Sequence, residues 1–189
     1  MASLVQRALR KIGTQMVNPV NKLVYSQFYD FPFGKAPRAT EEEDRQIWEK
    51  AKSEQFPEID AYEKERDTAV DQTWFHDLAL LTQAVKKQSD ICYQHGRLLY
   101  SSLTDFLRTN NDPHIYILET GTARGFSSVC MMKALKDQDR VGTLMTFDVL
   151  PHDVKMYWNC IADKDGPRSR KELLEPYSEY VNHGIIFHQ

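Results

Sequence analysis

Long apolar runs are missing from this chain: none approaches the roughly 20 residues needed to cross a bilayer, which excludes a transmembrane helix. Cysteine is scarce among the 189 residues. Cys92, Cys130 and Cys160 form an odd set at wide spacing, which fits neither a disulfide framework nor a metal site and points to a reducing cytoplasmic setting. Charge of either sign is not in large excess, and a formal net charge of -3 argues against a general nucleic-acid binder. Internal repeats and low-complexity segments are also absent. With 41% hydrophobic residues the chain can build the core of one soluble domain.

One absence is local. The first 29 residues hold Arg7, Arg10, Lys11 and Lys22 but not one acidic side chain. Ser3 and Gln6 resemble a capping box, and Val5, Ala8, Leu9, Ile12 and Met16 share a helical face, so residues 3–17 read as a basic amphipathic helix. Such a helix could make peripheral contact with an anionic membrane, or pack on its own domain or on a second copy in a homo-oligomer. It lacks the apolar core and cleavage site of a secretory signal, whereas a mitochondrial presequence shares its basic, acid-free character. Residues 18–37 then concentrate Tyr25, Phe28, Tyr29, Phe31 and Phe33 between prolines, the pattern of an irregular arm anchored by aromatics. Residues 1–70 are thus expected to form a helical and irregular arm, and 71–189 the main domain.

Thr40 with Glu43 predicts a capped helix whose stripe is Ile47, Trp48 and Ala51. Residues 58–72 are charged and poorly periodic, as in an exposed connection or solvated helix. Trp74, Leu78, Leu81 and Val85 predict one further helix, and Ile91, His95, Leu98, Ser102 or Leu103, and Phe106 the buried face of another. His95, alone among apolar neighbours, is expected to be a hydrogen-bonded core histidine.

The second half alternates strand and helix: strand 115–119, helix 126–136, strand 143–148, helix 171–181, strand 184–188. This is the pattern of a parallel α/β sheet. Ile115 to Leu118 are apolar without alternation, as in a strand buried on both faces. Glu119 follows, then Gly121 and Gly125, which permit a tight turn and the close approach of a ligand. The next helix would aim its first N–H groups back at that turn. Asp148 ends the second strand, so Glu119 and Asp148 share the rim where open α/β sheets bind ligands. A carboxylate there suits the vicinal hydroxyls of a ribose. The dinucleotide fingerprint G-x-G-x-x-G is not matched by Gly121-Thr122-Ala123-Arg124-Gly125, and Glu119 would repel a pyrophosphate but suit a ligand carrying an ammonium. S-adenosylmethionine (SAM) is such a ligand.

ETGTARGFSS followed by TFD resembles motif I and the second-strand acid of class I SAM-dependent methyltransferases, especially small-molecule O-methyltransferases of the catechol and macrocin or cephalosporin-tailoring types. The resemblance covers roughly residues 76–189. It implies a Rossmann-like parallel sheet preceded by a helical N-terminal region. It further implies that Glu119 and Gly121 line the methionine side of the cofactor, with Thr120, Thr122, Ala123 and Gly125 also in its site, that Ser127 and nearby backbone N–H groups receive its carboxylate, and that Asp148 takes its ribose. Ala123 replaces a middle glycine common in the family.

Each residue also has a structural explanation: Glu119 as a cap, Gly125 as a packing glycine, Ser127 as an N-cap, Asp148 as a turn former. No metal site and no catalytic base is assigned. His152, Asp153, Asp163 and Asp165 match no metal template, Asp163 to Gly166 read as a solvated turn, and a divalent metal finds no support in these residues. Tyr157 and Trp158, in the loop 149–170, could cover the adenosine or meet substrate. The expected activity is methyl transfer to an oxygen of a small molecule, a sugar or natural product. A nicotinamide-dependent Rossmann oxidoreductase and a non-catalytic methyltransferase-like interaction module are the alternatives. Since the family's later strands are not in this sequence, the first strand is expected to be an unpaired edge, completed by missing residues or a second chain.

Overall fold

The computed structural model describes residues 31–189. The basic helix 3–17 and Tyr25, Phe28 and Tyr29 lie outside the described residues. Four helices come first: α1 (Glu41–Ser53), α2 (Pro57–Arg66), α3 (Gln72–Thr82) and α4 (His95–Thr109). Thr40 and Glu43 close the expected capping box on α1, and Asp71 caps α3 by accepting from the Trp74 N–H. Residues 58–72 are largely helical, starting from Pro57 in the first turn, where its lost N–H costs nothing.

Three parallel strands follow in the order β1 (Ile115–Thr120), β2 (Gly142–Phe147) and β3 (Ile185–His188). Helix α5 (Phe126–Asp137) connects the first two. The second connection carries the turn Ile161–Asp165, α6 (Arg170–Leu173), the turn Glu175–Tyr177 and α7 (Ser178–Gly184). The helix expected over 171–181 is therefore broken. Pro176 cannot continue a helix, and the chain restarts after it.

Ile115, Leu144, Ile117, Ile185 and Phe187 join a core with Phe75, Phe126, Val129, Met132 and Leu135, and Trp48 and Ala51 of α1 belong to the same cluster. Among the described residues no helix covers the opposite face of the sheet. Tyr116 is 74% and Leu118 69% exposed, and Phe147 and Ile186 are exposed beside them. This corrects the expectation of burial on both faces. An unbroken apolar run reports what a strand can bury, while the described helices cover one side of it.

The face of α4 is also not the expected one. The helix begins at His95, after Ile91, and it buries Gly96, Arg97, Tyr100, Ser101, Thr104 and Leu107, while Leu98 and Phe106 are exposed. A polar face can be buried because its groups are paired. Arg97 Nε donates to Glu63 Oε1 at 2.9 Å, its Nη2 donates to Glu63 Oε2 and to Asp60 Oδ1, and Ser101 Oγ donates to the Thr68 carbonyl at 2.8 Å. Gly96 is needed for contact, since a Cβ there would stand 2.6 Å from the Phe126 ring. His95 opens the helix with its ring edge-on to Phe126, exposed rather than in the core. No helix among the described residues is long and apolar enough to cross a membrane.

Arg97 joins α2 to α4 through Glu63, which is 3% exposed. Arg97→Ala leaves that carboxylate buried without its partner and should cost about 3 kcal/mol of unfolding free energy. Urea denaturation checks this, and a loss under about 1 kcal/mol would show that the pair does not hold the helices together.

Candidate functional site

β1 and β2 are parallel neighbours in the register Glu119 to Thr146 and Thr120 to Phe147, so their carboxyl ends share one rim, as the sequence predicted for Glu119 and Asp148. The Gly121 N–H extends the pairing to the Phe147 carbonyl at 2.7 Å. The chain then turns through three left-handed residues: Gly121 at φ 83°, Ala123 at φ 46° and Gly125 at φ 84°. The N–H groups of these three residues are used within the protein, by the Phe147 carbonyl, Asp148 and, at 2.7 Å, the Thr122 carbonyl, so the turn is fixed from inside. Gly125 closes the turn as the N-cap of α5 and supplies no side-chain cap, so the first-turn N–H groups of that helix keep their free donor capacity.

The two glycines serve different ends. A Cβ on Gly125 would stand 2.7 Å from Leu174 Cδ1, so that glycine is needed for packing. A Cβ on Gly121 would meet nothing within 4 Å. There the backbone faces open space at the rim, which is room for a ligand.

Glu119 and Asp148 are both held by the protein. Glu119 Oε2 accepts from Ser128 Oγ and from Thr146 Oγ1 at 2.6 Å, and Thr122 Oγ1 lies 2.6 Å from Thr146 Oγ1. Because Thr146 gives its one proton to Glu119, Thr122 donates to Thr146. Thr122 is thus a buried support of Glu119, facing inward. Asp148 Oδ2 accepts from the Ala123 N–H, and its Oδ1 accepts from the Leu150 N–H at 2.8 Å. Arg170, 1% exposed, lies 3.4 Å from Asp148 and donates from Nε to the Ala123 carbonyl at 2.8 Å. Burial pushes the Arg170 guanidinium down from its ordinary value, and the carboxylates of Asp148 and Glu119 pull it back up.

The structure brings Glu119, Thr120, Gly121, Ala123, Ser127 and Asp148 to one rim, and turns Thr122 and Gly125 into its foundation. Sequence reading missed Ser128, Thr146 and Arg170. Ser128 was visible one position after Ser127, and Thr146 two before Asp148, but register alone decides that both meet Glu119. Arg170 had no local signal.

The loop 149–170 corrects one expectation and part of another. Trp158 does not face a ligand: it is fully buried in a small core with Leu150, Met156, Cys160 and Leu173, and its Nε1 donates to the Arg168 carbonyl. Asp163 is 3% exposed, and it accepts from the backbone N–H groups of Trp158, Asn159 and Cys160. Of the turn Asp163 to Gly166, Asp163 alone is buried, while Lys164 and Asp165 are exposed as expected of a solvated turn. Tyr157 is half-buried, and His152 stacks on Phe187 at 3.9 Å. Among the described residues no group of three or more His, Cys, Asp or Glu side chains gathers to hold a metal.

Substitutions at the two glycines separate packing from binding. Gly121→Ala should cost about 1 to 2 kcal/mol, the backbone strain alone, while Gly125→Ala adds the clash with Leu174 and should cost about 3 kcal/mol or more. Thermal or urea unfolding checks the order, and equal costs would contradict the open space assigned to Gly121. Among known proteins, the chain matches no family model, no curated protein and no solved structure, so the chemistry of this rim rests on its own geometry.

Proposed function

We propose that this chain is a SAM-dependent methyltransferase of Rossmann-like class I type, transferring a methyl group to an oxygen of a small molecule such as a sugar or natural product. The observation that carries the reading is the open backbone at Gly121, set between Glu119 and Asp148 on the rim of a parallel sheet and followed at once by an uncapped helix N-terminus. A sulfonium amino acid fits those charges. Its ammonium would meet Glu119, and its carboxylate the first N–H groups of α5 near Ser127. The ribose hydroxyls would meet Asp148 at Oδ1, which accepts the Leu150 N–H and keeps a lone pair, since Oδ2 already faces both the Ala123 N–H and Arg170.

Bound SAM would supply an electrophilic methyl carbon, and the protein's part is alignment of the acceptor oxygen for in-line displacement. Lowering the acceptor's pKa would fall to a base or a metal, and no described residue is assigned that role. Ordering of the turn by Asp148, Arg170 and Glu119 before the ligand arrives would lower the entropic cost of binding. A second reading, a non-catalytic interaction module, is favoured by one observation: the exposed Tyr116, Leu118, Phe147 and Ile186 leave an apolar sheet face open to a partner.

Calorimetric titration with SAM, S-adenosylhomocysteine and NAD discriminates these. SAM and its demethylated product should bind and NAD should not. Asp148→Ala should weaken SAM binding about tenfold or more, because charge-assisted hydrogen bonds are lost. Binding of NAD alone would favour the oxidoreductase, and binding of none of the three by the folded chain would favour the interaction module.

A further inference from the structure

Arg124 belongs to the glycine loop, yet its side chain is committed elsewhere. Its Nε donates to the Trp158 carbonyl at 2.6 Å, its Nη2 donates to the same oxygen, and the guanidinium lies over the Phe33 ring at 5.0 Å. It is half-buried, and the charged groups that face it are Asp44 of α1 and Asp163 of the turn Ile161–Asp165, beside the Cys160 thiol. One side chain therefore joins the loop to Phe33 and the Trp158 carbonyl, where the turn lies against α1 through the bond from Lys164 to Glu41 at 2.8 Å.

The charges in this pocket do not balance. Asp163 is saturated by three backbone N–H groups, whereas Asp44, 2% exposed, has an Oδ1 that accepts no hydrogen bond. With both acids ionised, the pocket would bury one more negative charge than Arg124 offsets. An isolated buried carboxylate resolves that cost by taking a proton. The groups around Asp44 agree. Burial, then Asp163, then the neighbouring Glu43 push its carboxyl up to about 6, while Arg124 and Lys86 pull it partly down.

We propose that Arg124 is a positioning residue for the glycine loop, and that Asp44 of α1, by gaining or losing a proton, sets how firmly Arg124 holds it. The proposal rests on the reading of Gly121 to Gly125 as the cofactor loop. With the proton on, Asp44 is neutral, Arg124 is balanced by Asp163, and the guanidinium stays on the Trp158 carbonyl. With the proton off, Asp44 competes for the same guanidinium from the side of α1. The residues on either side of Arg124 are the left-handed Ala123 and Gly125, so a pull on Arg124 acts directly on the turn.

The sign of the pH effect follows. Folding raises this carboxyl above its ordinary 3.8, so between that value and about 6 the folded chain binds more protons than the unfolded one. The stability linked to Asp44 therefore falls as pH rises through that window, and the loss is complete above it.

The test compares the wild-type chain with Asp44→Asn and Arg124→Lys at pH 5 and pH 8. The wild type should show loop amides 121–126 exchanging several-fold faster at pH 8 than at pH 5 after correction for intrinsic exchange. Asp44→Asn should abolish that difference and melt about 5 °C above the wild type at pH 8, with about half that gap at pH 5. Arg124→Lys keeps the charge but not the two-donor grip, so it should expose the loop amides at both pH values. An Asp44→Asn profile identical to the wild type, or an Asp44 carboxyl that titrates near 4 by NMR, would overturn the proposal. Titration with S-adenosylhomocysteine separates the two readings: no binding by any variant overturns the cofactor assignment, while the exchange profile alone decides the coupling.

Discussion

Both peptide groups of Ala123 are gripped by side chains, and the rim of this sheet depends on that grip. Its N–H donates to Asp148 and its carbonyl accepts from Arg170. A left-handed alanine costs about 1 to 2 kcal/mol and persists only where its surroundings over-determine it. Here they do. Arg170 is enclosed between the Trp158 ring at 5.5 Å and the Phe187 ring at 5.7 Å, and Nη2 also donates to the Leu150 carbonyl. The end of β2, the loop after it, α6 and β3 therefore all converge on one residue of the turn. The middle of the turn is a residue that must be held in place, and the holding groups include the carboxylate that the proposed function assigns to the ribose.

That double use shapes the site. Asp148 organises the turn through both oxygens, Oδ2 facing the Ala123 N–H and Arg170 and Oδ1 the Leu150 N–H, while Glu119 is fixed through Ser128 and Thr146 before any ligand arrives. Of the two glycines of the turn, Gly121 has open space beside it and Gly125 does not. The result is a preordered rim at the carboxyl ends of β1 and β2.

Local signals were readable in the sequence. The capping box at Thr40 and Glu43, the strand from Ile115, the turn at Gly121 and Gly125, and the placement of Asp148 on the same rim all follow from residue type and spacing, and the structure has each. What failed was every inference that hydropathy had to carry across distance. α4 buries Arg97 and Ser101 because Glu63, Asp60 and the Thr68 carbonyl receive them, partners more than 30 positions away. Asp163 is the one buried member of an otherwise solvated turn, and its three N–H donors are backbone groups that no side-chain pattern reveals. Trp158 looked like a ligand platform because its burial depends on Met156 and Leu173, which fold over it from both sides. Tyr116 and Leu118 read as buried because apolar composition does not state which layers are present.

The central claim is that the turn at Gly121 is a preformed binding edge for a sulfonium nucleoside. It is tested most directly by titrating the isotope-labelled chain with S-adenosylhomocysteine and mapping amide shifts. The account predicts saturable changes concentrated at Glu119 to Ser128 and at Asp148 to Leu150. Changes confined to the exposed sheet face, or none at millimolar ligand in a folded chain, would contradict it.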